Sequence, residues 1–369
     1  MDLLLNAEQK CLLWLSAAEV TPGKVQELVA LYGGAEEIWN SFDHENGPKF
    51  QAATHAVLKS LHSRDAIDEL HGRLEKKNVK LLFQTDEAYP AQLNSIQDPP
   101  YLLYYAGKLS CLQKPMIAIV GTRRASSYGT EMAAMIAREL SEAGVCVVSG
   151  LARGIDAAAH KAVVDAGEAT VGILGSGINV PYPPEHTGLL RQIAGGIGLV
   201  LSEYPLDAGP RPYHFPHRNR IISGLSMGVV FAEGRIKSGG MHTVHSALMQ
   251  GREVFAVPGR VGTYGSEGPH AILREGARIV TSAQDILEDL GLQPVSVSQK
   301  EKNRIKLNAL QSRIVSLLKI EPMGCAEIVL KIGGDENELI TELGTLEILG
   351  VVEREAGNRF HLPYRGGNK

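Results

Sequence analysis

Four segments of this 369-residue chain combine glycine with arginine, lysine or hydroxyl side chains, the residue types that hold phosphate groups. The first is "IVGTRRASSYG", Ile119–Gly129. Gly121 lets the backbone turn tightly, Thr122, Ser126 and Ser127 offer hydroxyls, and Arg123 and Arg124 offer forked guanidinium donors. The helix expected after it adds unpaired N–H groups for an anion. The segment lacks the second and third glycines of G-x-G-x-x-G, so it is not a dinucleotide loop. The second, "VVSGLARGIDAAAH" (Val147–His160), brackets Arg153 between Gly150 and Gly154. The third, "FPHRNRIISGLS" (Phe215–Ser226), sets Arg218, Asn219 and Arg220 behind Tyr213, His214, Phe215 and His217. Cations interleaved with flat rings suit a single-stranded polynucleotide: charge for its backbone, planes for its bases. The fourth, "EGRIKSGGMHT" (Glu233–Thr243), opens a helix with Lys237, Ser238, Gly239 and Gly240.

Three titratable residues near these segments have catalytic readings that we set aside. Asp156, at a helix start, is read as a charge partner of that N-terminus. His160, one turn later, is read as a packed, hydrogen-bonded histidine. Glu203, in "LSEYP", is read as fixing an arginine rather than as a general base. No catalytic residue, metal or cofactor is assigned.

The four segments gain meaning from the elements that must carry them. Near-continuous apolar runs of strand length occur at Val79–Phe83, Met116–Val120, Val145–Ser149, Thr170–Leu174, Gly198–Ser202, Gly228–Ala232, Val254–Val257 and Arg278–Thr281. Helix-like stretches separate them, among them Tyr128–Ala143, Ile155–Ala166 and Thr243–Gln250. That pattern predicts a parallel sheet covered on both faces, with every strand-to-helix loop at its carboxyl edge. Before it, residues 1–76 read as a small helical domain with a turn at Pro22-Gly23 and a break at Gly33-Gly34. The α/β domain takes residues 77–292, and the polar stretch 293–306 reads as a linker. Residues 307–369 read as a winged helix: helices at Leu307–Leu318, Ala326–Lys331 and Glu336–Ile348, then a hairpin turning at Ala356–Asn358.

Bulk properties narrow the partners. The 37 Lys and Arg against 41 Asp and Glu give a net charge of -4, so a polyanion must be held by a local cluster. Four cysteines without a C-x-x-C pair argue against zinc and disulfides and suit a reducing cytoplasm. No signal peptide or membrane span is expected.

"YPAQL" (Tyr89–Leu93), "VGTRRASSYG", "VSGLARGIDAAAH", "YPPEH" (Tyr182–His186), "SEYPLDAGPRPYHFPHRNRIISGLS", "KSGG", "GREVFAVPG" (Gly251–Gly259) and "EGARIV" (Glu275–Val280) follow in order. Over about Tyr89 to Val280 this resembles the DNA-processing protein A family, DprA or Smf. The resemblance implies an extended Rossmann-like, doubly wound sheet with a helical domain before it and a winged helix after it. It implies binding of single-stranded DNA, homodimers, and loading of RecA recombinase in natural transformation. By motif, Arg123 becomes a phosphate ligand, Arg218 and Arg220 the arginines of the R-N-R element, and Lys237 the lysine of K-S-G. Two departures are Gly240-Met241-His242-Thr243-Val244 after K-S-G, and His270 at a usual asparagine.

The alternative is a nucleotide phosphoribohydrolase of the lysine-decarboxylase-like family, which carries P-G-G-x-G-T-x-x-E. Here "SGGMHTVHS" keeps Gly239, Gly240 and Thr243 but has Ser246 in place of the glutamate. Without that carboxylate, acid–base work on a glycosidic bond lacks its group. The expected DNA phosphate site is therefore Gly121, Arg123, Ser126, Gly150, Arg153, Gly154, Arg218, Asn219, Arg220, Lys237, Ser238 and Gly239.

Overall fold

The computed structural model describes residues 5–293, 307–318, 321–333, 335–349, 351–355 and 359–362. The chain forms two compact units, Met1–Val295 and Ser296–Lys369. Of the expected linker, residues 294–306 lie outside the described residues.

Five helices open the first unit: α1 Ala7–Ala17, α2 Pro22–Tyr32, α3 Ala35–Asn40, α4 Ala52–Ser60 and α5 Arg64–Lys76. Asn6 starts α1 with a reciprocal capping box to Gln9. Pro22-Gly23, expected as a turn, instead begins α2, with Thr21 as N-cap and proline at the first helical position, where its missing N–H costs nothing. Gly33 closes α2 in the left-handed region at φ 99°. These helices share a core with the sheet. Trp14 is wholly buried and donates from Nε1 to the Leu58 carbonyl at 2.8 Å. The Ser16 hydroxyl lies 2.9 Å from the Tyr104 hydroxyl.

The sheet strands are β1 Lys80–Phe83, β2 Leu102–Gly107, β3 Met116–Val120, β4 Cys146–Ser149, β5 Thr170–Leu174, β6 Leu199–Ser202, β7 Gly228–Phe231, β8 Glu253–Ala256 and β9 Arg278–Ile279. Their order is β1-β2-β6-β5-β4-β3-β7-β8-β9. From β6 to β9 every pairing is parallel, whereas β1–β2 and β2–β6 are antiparallel. Two expectations are corrected here. The Val79–Phe83 strand is antiparallel to its neighbour, and β2 was absent from the expected set. The double proline at Pro99-Pro100 reads as loop, yet it ends just before the strand begins.

The helices of this unit are α6 Ser127–Glu142, α7 Ile155–Asp165, α8 Thr187–Gly195, α9 His214–Leu225, α10 Gly239–Met249, α11 Glu267–Arg274 and α12 Ala283–Asp289. Alternation along β3 sets the two faces. Ile117 and Ile119 pack with α6, α7 and α12, through Ile136, Val163 and Ile286. Ala118 and Val120 pack with α9, α10 and α11, through Ile221, Val244 and Ile272. The doubly wound sheet is thus covered on both faces. The R-N-R segment forms α9. Pro216 falls in its first turn, where no intrahelical N–H bond is lost, so the proline-rich run conceals a helix start.

The second unit holds α13 Ala309–Leu318, β10 Met323–Gly324, α14 Cys325–Ile332, α15 Glu336–Ile348, β11 Glu353–Glu355 and β12 Arg359–His361. The strands are antiparallel in the order β10-β12-β11. Ile314, Ile328, Leu339, Leu343, Leu346 and Phe360 form its core. Three helices and a β-hairpin make a winged helix; the expected turn at 356–358 lies outside the described residues. No helix among the described residues is long and apolar enough to cross a membrane.

Candidate nucleic-acid interface

β3 lies between β4 and β7, so the chain leaves it in one direction along the sheet and later returns on its other side. At such a switch point the loops beyond the strand ends diverge and leave a crevice. A cleft of about 610 Å³ opens there, with Gly121, Arg123, Asn219, Ser238, Gly239 and His242 in its wall. The four segments singled out above therefore meet in one place.

Glycines let the loops approach. Gly154 has φ +74°, and a Cβ on it would stand 2.3 Å from the Thr122 carbonyl oxygen. A Cβ on Gly121 would stand 2.6 Å from the Glu233 carbonyl oxygen, and that oxygen accepts from the Thr122 N–H at 2.7 Å. Backbone contacts thus lace the loops after β3, β4 and β7 together.

One of the helix N-termini at this edge already holds an anion. The Glu233 carboxylate accepts from the Ser126 N–H at 2.9 Å and the Ser126 hydroxyl at 3.0 Å. It lies so close to α6 that a Cβ on Gly129 would come within 1.7 Å of it. The expectation that α6 offers open N–H groups to a phosphate is corrected: Glu233 occupies that place, and Ser126 is its partner. Asp156, in the first turn of α7, reaches back to the loop after β4 and accepts from the N–H groups of Gly150 at 3.1 Å and Ala152 at 3.4 Å. Burial pushes the Asp156 carboxyl up, against the pull of Arg218 and those N–H groups. The N-terminus of α10 differs. Ser238 is its N-cap but makes no side-chain cap bond, and the buried Ser238 hydroxyl has no hydrogen-bond partner. Lys237 and Gly239 beside it are exposed.

The arginines divide into exposed and buried. Arg123 is exposed, forms no ion pair among the described residues, and lies over the Phe215 ring at 5.3 Å. Phe215 in turn packs against Tyr182, with ring centroids 5.3 Å apart. Arg153 is exposed and pairs with Glu185. Arg218 is 4% exposed and donates to the carbonyls of Gly150, at 2.9 Å, and Ile173. Burial pulls its pKa down to about 10, which leaves it cationic at neutral pH. Asn219 donates to the Gly239 carbonyl at 3.3 Å and so ties α9 to the start of α10. Arg220 does not line the cleft; it is buried against Glu203 at 2.6 Å. This is the arginine-fixing role read for Glu203.

His160 is fully buried with Nδ1 2.8 Å from the Thr170 hydroxyl, the packed role expected of it. His270 donates from Nε2 to the Gly259 carbonyl at 2.9 Å and fixes that loop, while His242 stays exposed in the cleft wall. The residue that sequence reasoning passed over is Glu233. Its signal was present, an acidic side chain two residues beyond the end of buried β7, but spacing does not reveal which helix it caps.

The profile of the family described as DNA recombination-mediator protein A matches residues 80–291. Protein Smf of Escherichia coli strain K12 is 44% identical over 217 residues, 59% of this chain and 58% of that protein, so the match spans less than two-thirds of that relative. The X-ray structure of DNA processing protein A (DprA) from Streptococcus pneumoniae overlays with a TM-score of 0.66 at 33% identity, covering 78% of this chain and 99% of that one. A structure concerned with the single-stranded DNA binding mode of Helicobacter pylori DNA processing protein A gives a TM-score of 0.52 at 30% identity, covering 57% and 95%. Sheet, cleft and matched residues agree, and the chain belongs to the DNA recombination-mediator protein A family, whose members include proteins named DprA and Smf.

Proposed function

We propose that the cleft binds single-stranded DNA through its phosphates, with little sequence choice. The observation that carries this is the free end of α10. It joins exposed Lys237, an unpartnered Ser238 hydroxyl and exposed Gly239, across the cleft from the Arg123–Phe215 pair. In this reading Arg123, Lys237, Ser238 and Gly239 meet phosphates, and the Phe215 plane takes a base. Gly121, Gly150 and Gly154 bring the backbones together, Arg218 and Asn219 hold α9 against the loops, and Arg153 adds charge at the rim. Ser126 acts through Glu233, and Arg220 through Glu203. The chain works as a cytoplasmic homodimer that protects incoming strands and loads RecA recombinase in natural transformation. It turns over no nucleotide: the carboxylates nearest the cleft, Asp156 and Glu233, are engaged by backbone N–H groups, and Ser246 stands where the hydrolases carry glutamate.

A salt titration tests this. Affinity for a thymidine strand should fall with salt with a log–log slope of roughly -0.7 per phosphate neutralised. Arg123→Ala and Lys237→Ala should each weaken binding about tenfold and make that slope shallower, with melting temperature unchanged because both side chains are exposed. Preference for duplex, or unchanged affinity in both variants, would move the site elsewhere. Release of free base from a nucleoside monophosphate would revive the hydrolase reading.

The winged helix is proposed not to read duplex DNA. A recognition helix in the major groove needs basic or neutral donors. α15 carries Glu336, Glu338, Glu342 and Glu347, with no Lys or Arg. Glu342 also accepts from Asn308 at 2.9 Å and Gln311 at 2.7 Å, which points to an internal role. Residues 305–369 titrated with duplex at low salt should show no saturable binding; tight binding would overturn this reading.

A further inference from the structure

The carboxyl edge of the sheet continues beyond the cleft. β8 lies beside β7, so the loop after β8, residues 257–266, stands next to the loop after β7 that carries Lys237. Backbone bonds join the two. The Gly234 N–H donates to the Gly265 carbonyl at 2.7 Å, and the Gly268 N–H to the Gly234 carbonyl at 2.8 Å. The Ser238 N–H closes a turn onto the Arg235 carbonyl at 2.9 Å, with Lys237 inside that turn. The Arg235 side chain reaches across to the second loop and lies over the Tyr264 ring at 5.0 Å.

The second loop is held in one shape. Tyr128 donates its hydroxyl to the Pro258 carbonyl at 2.7 Å, His270 donates to the Gly259 carbonyl at 2.9 Å, and the Thr263 hydroxyl donates to the Arg260 carbonyl at 2.8 Å. To solvent this loop presents a flat ring and a cation. Tyr264 is 73% exposed although Arg235 covers one of its faces. Arg260 is exposed and forms no ion pair among the described residues. The acidic neighbours are engaged, Glu233 by Ser126 and Glu267 by Arg235 at 3.5 Å. Arg260 and Lys237 are therefore the uncompensated charges, and they suit an anionic polymer.

A guanidinium over a ring is also what Arg123 and Phe215 form in the cleft. Only β7 separates β3 from β8, so the loops leaving those two strands start about 10 Å apart. The loop with Lys237 lies between them. We infer that a single strand held in the cleft runs on past Lys237 to the loop after β8, where Tyr264 stacks a second base and Arg260 meets a phosphate. The inference rests on the proposed strand binding and lengthens its footprint. The added affinity goes to strands long enough to reach both rings.

The test measures anisotropy for labelled thymidine strands, a short one of about five nucleotides and a longer one of about twenty. Tyr264→Ala and Arg260→Ala should each weaken the longer strand about tenfold and leave the short one unchanged. Tyr264→Phe should bind both strands as the native protein does, because the ring is kept. Arg123→Ala should weaken both. Melting temperatures should not move, since Tyr264 and Arg260 are exposed. Native affinity for the longer strand in Tyr264→Ala and Arg260→Ala, with Arg123→Ala still defective, overturns the extension and leaves the cleft. Failure of the native protein to bind either strand overturns the reading beneath it. A changed sedimentation coefficient of Tyr264→Ala without DNA, with both strands bound as before, overturns the strand as occupant and assigns this loop to contact between copies of the chain.

Discussion

Arg220→Ala is expected to cost about 3–5 kcal/mol of stability, seen as a lower urea midpoint for the α/β unit. The Glu203 and Arg220 side chains are 9% and 11% exposed and meet at 2.6 Å. Removing the guanidinium strands a buried carboxylate that keeps only His217, at 3.3 Å. In the native protein burial pushes the Glu203 carboxyl up, but Arg220 and His217 together hold it below its usual value. A depressed carboxyl stabilises the fold above the unfolded pKa, about 4.3, and loses that contribution as pH falls through the folded value. In Arg220→Ala burial acts with less opposition, so the carboxyl moves up and the protein is relieved by acid. The penalty should therefore be largest near neutrality and shrink toward pH 4. Arg220 Nε and Nη1 are buried without hydrogen-bond partners, so the pair is incompletely satisfied. Arg220→Met with Glu203→Leu should recover much of the loss. A single-variant cost below about 1 kcal/mol would show the pair to be dispensable.

The second large effect is an acid dependence centred on His160. Thr170 donates its hydroxyl proton to the Val147 carbonyl at 2.7 Å, so its oxygen must accept from His160 Nδ1–H. Nε2 is left buried without a partner. Burial is the main cause that pushes the His160 pKa down to about 3. The unfolded chain binds this proton near pH 6.5 and the folded protein resists it to about 3. Stability is thus complete above pH 6.5 and falls as pH drops, by roughly 4–5 kcal/mol across the window. His214, also lowered by burial, and Asp156, pushed up by it, share this range, so the contribution of His160 is read from the difference between the native protein and the variant. His160→Gln should flatten the slope there. A His160 ring signal that titrates near pH 6.5 by NMR would contradict the assignment.

Much of this architecture was legible because buried parallel strands are written as apolar runs, and the loops gathered at their carboxyl edge are written in glycine, arginine and serine. Met116–Val120, Thr170–Leu174 and Glu336–Ile348 fall where the pattern puts them. β2 was hidden by the prolines before it, and α9 by Pro216 within it. The R-N-R arginines expose a deeper limit. Charge in a sequence reads as solvent-facing, yet Arg218 and Arg220 are buried, because their partners Ile173, Gly150 and Glu203 come from other parts of the chain. Glu233 is the same case in reverse: one acidic letter in a basic segment, whose role appears only when α6 and the end of β7 are side by side.

The carboxylate at the start of α6 bears on which phosphorylated molecules the proposed site would take. Sheets of this type commonly grip a mononucleotide or dinucleotide at the helix that follows the central strand. Here the Glu233 carboxylate stands at that helix start. A free nucleotide would have to displace a carboxylate already satisfied by N–H groups, and would be repelled by it on approach. Lys237, before α10, and Arg123, after β3, stay exposed, and in the proposed reading they would make separate weak contacts that reward a ligand able to reach both at once. An anion of the protein's own thus stands at the start of α6, and under the proposed function the cationic edge about Arg123 and Lys237 is what remains for a strand.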